Sequence, residues 1–212
     1  MSDARNLEAA GVLKLEDGGF RALESYVAVT SQSLWAHDAV MGTAETADAG
    51  TGLVLGTRVR FSVPGQVTGA WFQKSLAAEG EYTASLWEQD AEFLSVTLLR
   101  TTTEAKTGTG WHRIAFATPC PVIVANDTNN FGYVVSIHYT RSDRASAPFG
   151  YYATGHYFDF DYIVGDLNAP AGNVSQNAFQ NGRFSYNSDA STYPSSQFES
   201  ASYFIDLDFE AT

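Results

Sequence analysis

At 212 residues and a net charge of −12, with 17% charged and 14% aromatic residues, the chain has room for one sizeable β core plus an extra segment. Few charges and many aromatic, Thr, Ser and Gly residues favour an all-β globular protein. The acidic balance excludes a phosphate-backbone binder, and no run approaches the ~18 apolar residues of a membrane helix, so neither nucleic-acid binding nor membrane insertion is expected.

Residues 1–33 read as an arm of their own. Val12-Leu13-Lys14-Leu15 alternates, Asp17-Gly18-Gly19 supplies turn residues, and the segment from Phe20 to Tyr26 returns, which predicts a short hairpin. A lone hairpin is marginal in water, so an anchoring or oligomerisation role is expected, with Leu13, Leu15 and Phe20 as candidate anchors. The arm lacks a basic stretch followed by an apolar run, so no secretory signal is read there.

Residues 34–212 form the predicted main domain. Trp35, in SLWAHD, opens it and is the tryptophan whose position leaves room for exposure. Strands are expected at 53–63, 67–73, 82–88, 93–100, 111–117, 131–139, 151–164 and 203–209. In the first, Val59, Phe61 and Val63 share one face, while Arg58 and Arg60 read as surface charges. Trp71, Trp87 and Trp111 sit among apolar neighbours and are expected in the core. Cys120, the single cysteine, lies between Pro119 and Pro121 and reads as a small core residue, so no intramolecular disulfide is expected. Residues 166–196 read as long loops pinned by Phe179, Phe184, Tyr186 and Tyr193. Strands this short, separated by Gly, Pro, Asn and Asp, predict an antiparallel β-sandwich, jelly-roll-like in type.

Two stretches share a rhythm, GHYFDFDYI at 155–163 and YFIDLDFE at 203–210. On a strand, His156, Phe158, Phe160 and Tyr162 would lie together, with Asp159 and Asp161 on the other side. In the second, Tyr203, Ile205, Leu207 and Phe209 would be buried, and Asp206, Asp208 and Glu210 would face water. Asp159 and Asp161 therefore read as a solvated face, with a Ca²⁺ site and, ranked last, a hydrolase's carboxylate pair as the alternatives. The four histidines are scattered singly and no nucleophile elbow or phosphate loop occurs, so nothing in the pattern points to an enzyme or a cofactor. Trp35, Tyr151, Tyr152 and Tyr157 are the candidate glycan-binding residues, since exposed rings of this kind offer a sugar an apolar face and a polar tip. Packing in the core or at strand ends is the plainer role for the same rings.

The ordered segments GLVLGTRVRFSVPGQVTGAWFQKS, YTASLWEQDAEFLS, GWHRIAFATPCPV and YVVSIHY, with GYYATGHYF and YPSSQFESASYFIDLDF, carry a likeness. From Leu34 to Glu210 the chain resembles a bacterial β-sandwich family known only as a domain of unknown function. That family is similar to modules of secreted carbohydrate-active and adhesive bacterial proteins and of phage tail-associated proteins. The resemblance implies fold and setting and no catalytic residue. It leads to the expectation of a non-enzymatic phage virion protein, tail-associated and displayed on the virion surface. The arm would bind other virion proteins, the sandwich would face host surface glycans, and the chain would form a homo-oligomer. A capsid decoration protein and a carbohydrate-binding module of a secreted protein are the alternatives.

Overall fold

The computed structural model describes residues 12–14, 20–22, 30–47, 52–89, 95–124, 132–139, 149–172 and 181–212. Leu15, Tyr26, Phe93, Phe131 and Phe179 lie outside these. The chain divides into two compact units, Met1–Thr30 and Ser31–Thr212. In the first, β1 (Val12–Lys14) pairs antiparallel with β2 (Phe20–Ala22), setting Leu13 opposite Arg21 and Lys14 opposite Phe20.

The second unit is all-β in its described residues. Its larger sheet carries β5 (Leu53–Phe61), β10 (Gly132–Tyr139), β7 (Gly80–Gln89) and β8 (Val96–Lys106) side by side. The other edge of β5 is shared. β14 (Arg183–Tyr186) pairs along its first half and β13 (Leu167–Ala169) at its end, with β12 (Tyr162–Val164) outside β13 and β15 (Ser196–Gln197) outside β14. The smaller sheet runs β3 (Ser31–Gln32), β16 (Asp206–Ala211), β6 (Gly65–Lys74), β9 (Gly110–Val122). A separate ribbon pairs β4 (Thr43–Ala47) with β11 (Phe149–Ala153). All pairings are antiparallel. Consecutive long strands alternate between the sheets, apart from the β7–β8 neighbours. Pro119 and Pro121 are tolerated because β9 is a sheet edge and pairs only with β6 among the described strands.

The period of two predicts the core correctly. Leu53, Leu55, Val59 and Phe61 point inward from one sheet, and Phe72, Ile114, Leu207 and Phe209 from the other. Phe61 stacks on Phe209 with centroids 4.7 Å apart, and Phe72 lies 4.8 Å from Tyr82, so aromatic pairs tie the two layers. Each such buried ring contributes roughly 1.5–3 kcal/mol by leaving water. Cys120 is buried in this core, and burial raises its thiol pKa.

β5 is buried on both faces, which the alternation alone does not predict. Residues 181–194 cover its outer side. Arg58 N–H donates to the Asn181 side-chain oxygen at 2.9 Å, and the Asn181 amide donates back to the Arg58 carbonyl at 2.9 Å. Gly182 sits at φ +74°, and a Cβ there would fall 2.3 Å from the Ala201 carbonyl, so the approach requires glycine. Arg58 and Arg60, expected at the surface, are consequently buried. Trp87 is buried on this outer side too, donating to Ser136 Oγ at 2.8 Å and meeting Tyr193 edge-on.

Candidate functional site

Of the three last-strand carboxylates expected to face water, Asp206 and Asp208 do not, while Glu210 is partly exposed. Asp206 is fully buried and Asp208 nearly so. Asp206 Oδ1 accepts from the backbone N–H of Leu34 and Leu207, at 3.0 and 2.8 Å. Its Oδ2 accepts from Trp35 N–H at 3.0 Å and His37 Nε2 at 2.9 Å. Burial raises the Asp206 pKa, opposed by the hydrogen bonds from His37, Leu34 and Trp35. Asp208 accepts from Trp71 Nε1 at 2.6 Å and pairs with Arg113. His37 is stacked on Trp71 at 4.2 Å with φ +45°. The acid face reads as wet in the sequence because the segment Leu34–His37, which covers it, is 170 residues away. Four donors fill the lone pairs of Asp206, so this cluster ties the start of the domain to its last strand and leaves that carboxylate nothing for a ligand.

The stretch 155–163 also departs from its strand reading. The chain leaves β11 at Ala153, turns through Gly155 and His156, the latter at φ +59°, and resumes only at Tyr162. Alternation is lost in the turn. Phe158 is fully buried, whereas Phe160, expected beside it, is 82% exposed. Asp161 is exposed and accepts from Ala171 N–H at 2.8 Å and the Asn168 amide at 3.2 Å, while Asp159 lies 3.5 Å from His156. Among the described residues no three His, Cys, Asp or Glu side chains gather as metal ligands.

Trp35, a glycan-binding candidate if exposed, is only 4% exposed and takes the plainer packing role. Trp111 and Tyr162 stack on it with centroids 6.3 and 6.0 Å away, and its indole N–H donates to Tyr157 Oη at 2.9 Å. That leaves no ring face for a sugar. Trp71 and Trp111, expected in the core, are only partly buried. Tyr157 packs against Phe158, Tyr162 and Phe204, and Tyr152 lies against the core. Of the four candidate rings, Tyr151 borders a groove.

The groove has a volume of about 570 Å³, a size typical of small-molecule sites. It forms where the inner face of the larger sheet runs on through β14. Phe184 and Tyr186 pair with Leu55 and Leu53, so they share a face with those core residues. Tyr151 and Glu45, opposite one another in the β4–β11 ribbon, form part of the lining, and Phe198, Glu199, Ala201 and Tyr203 form another part. Tyr186 is 60% and Phe198 55% exposed. Burial raises the Tyr203 pKa well above its ordinary value, with Tyr151, Tyr186 and Glu199 adding to it. Burial also raises that of Tyr151, helped by Tyr186 and Glu45. Both phenols therefore stay protonated and able to donate.

Glu199 is held by an unusual backbone. Glu199 and Ser200 lie at φ +46° and +50°, a conformation costly for non-glycine residues. His156 N–H donates to the Glu199 carbonyl at 2.8 Å and Phe158 N–H to that of Ser200 at 2.8 Å, which fixes the bend. The carboxylate lies over Gly155, whose added Cβ would be 3.5 Å from Glu199 Oε2. The sequence hides this site because its parts come from residues 43–45, 53–55, 151–155, 184–186 and 198–203. The one local signal is an aromatic set in a polar run, as in SYNSD around Tyr186 and SQFES around Phe198.

Comparison with known families gives one match of long extent. Residues 39–205 fit the model described as domain of unknown function (DUF4082), which is most of the chain, and the chain belongs to that family. No curated protein matches it.

Proposed function

We propose that this DUF4082 chain is a non-enzymatic glycan-binding module, carried on a phage virion in a tail-associated position. The observation that carries the binding reading is the groove. Exposed Tyr186 and Phe198 stand beside Tyr151 and Tyr203 hydroxyls and two carboxylates. Rings of this kind offer a sugar an apolar face, and the polar groups at the ring edges orient its hydroxyls. The virion setting is supported by the likeness of the sequence to phage tail-associated sandwiches. In that setting residues 1–33 are the attachment arm and the chain is a homo-oligomer. Capsid decoration and a secreted carbohydrate-binding module are the competing settings, and copy number and location in purified virions separate them.

A glycan array probed with the purified chain should return a defined set of oligosaccharides. Tyr186→Ala and Phe198→Ala should each weaken that binding by about tenfold or more, since central aromatic contacts of this kind exceed ~1 kcal/mol. The fold should be untouched, both side chains being more than half exposed. Binding that survives both substitutions would move the site elsewhere. Hydrolysis of a bound oligosaccharide would overturn the non-enzymatic reading.

A further inference from the structure

We propose that the groove prefers a glycan bearing free amino groups, held as ammonium against Glu45 and Glu199 with its sugar faces on Tyr186 and Phe198. This rests on the glycan-binding reading and goes further by naming the ligand's charge. Three observations carry it.

The first is charge. Two carboxylates line the groove, and among the described lining residues none is Lys, Arg or His. Neither carboxylate is ion-paired with a described residue. An anionic sugar would meet two like charges there, within a chain of net charge −12. The second is the rings. Aromatic faces attract cations, and a protonated amine is stabilised both by them and by a neighbouring carboxylate. The third is the backbone at Glu199. Two successive non-glycine residues at positive φ, their carbonyls bonded by the His156 and Phe158 N–H groups, fix the Glu199 backbone at the groove, with its Oε2 over Gly155.

The test is calorimetric titration of the full chain at mildly acidic pH, where the amines are protonated. Three ligands of equal length serve: a β-1,4-glucosamine oligomer, its fully N-acetylated form, and an oligogalacturonate. The expected order is amino at least tenfold tighter than acetylated, with the uronate weakest. Glu199→Gln and Glu45→Gln should lower amino-oligomer affinity to the acetylated level and leave the acetylated oligomer unchanged. The amino preference should also shrink as salt rises.

Equal affinity for amino and acetylated forms, abolished by Tyr186→Ala, would overturn the amine inference and leave the glycan reading standing. Amino-oligomer binding that ignores both Glu substitutions would also overturn it, as attraction to the acidic surface at large. Failure of all three oligomers here, together with an empty glycan array, would remove the glycan reading itself.

Discussion

Four donors converge on the Asp206 carboxylate, three of them backbone N–H groups. Replacing Asp206 by Asn turns one acceptor oxygen into a donor facing donors. Whichever way the amide turns, at least one buried N–H is stranded, at roughly 1–3 kcal/mol per group. Asp206→Asn should therefore lower the unfolding free energy by more than the ~0.5 kcal/mol typical of a surface substitution, read as a lower urea midpoint at an unchanged slope. A shift inside that margin would show the brace to be dispensable. The same residue marks a limit of local reading. Its alternation with Ile205 and Leu207 was legible and correct. What lies over its face was not, because Leu34–His37 approaches only through the tertiary fold. Phe158 and Phe160 repeat the point, since two positions of apparently equal phase part company once Gly155 and His156 turn the chain.

Among elements, the long strands were readable because each has one face in the core, and burial enforces a period of two. β4 and β14 were not. Residues 43–46 are exposed and offer no apolar rhythm, and Arg183–Tyr186 is four residues inside a polar stretch. Both are strands by virtue of their partners, β11 and β5. Both elements line the groove, so part of it was hidden for the same reason. The division at Thr30 and Ser31 yields a sharper expectation. Removing residues 1–30 should leave the melting temperature of the rest within a few degrees of the full chain. Removing residues 1–36 should lower it strongly. The longer cut strips β3 from β16 and takes away the Leu34 and Trp35 donors and the buried Trp35 ring. Equal melting of both truncations, followed by calorimetry, would place the boundary elsewhere.

At the scale of the whole molecule, pH acts on stability through buried histidines. His138 is 2% exposed, and its Nε2–H donates to the Asn187 carbonyl at 3.0 Å. Burial lowers its pKa below the ordinary 6.5, the Asn187 bond and Asp189 opposing. His112 is shifted the same way, by burial first. Between the lowered folded pKa and 6.5 the unfolded chain binds the extra proton, so stability falls as pH drops through that interval. The raised pKa of Asp206 acts in the opposite sense, with stability falling as pH rises through it. Comparison with a variant cancels that term. Thermal melts at about pH 7 and about pH 5 should show a smaller acid-induced loss for His138→Gln than for the parent chain. An equal loss would exclude His138 as a source.

The sequence by itself determined the all-β class, the sandwich core and the family, because strand periodicity and turn residues are local and repeat along the chain. It also fixed the strong acidity that sets the character of the surface. The tertiary structure decided which polar residues are buried and where open space remains. Arg58, Asp206 and Trp35 are buried by segments distant in sequence, and the groove exists only because β14 extends a sheet beyond its covering layer. Burial and concavity are properties of what packs on a strand, and the strand's own residues do not encode their cover.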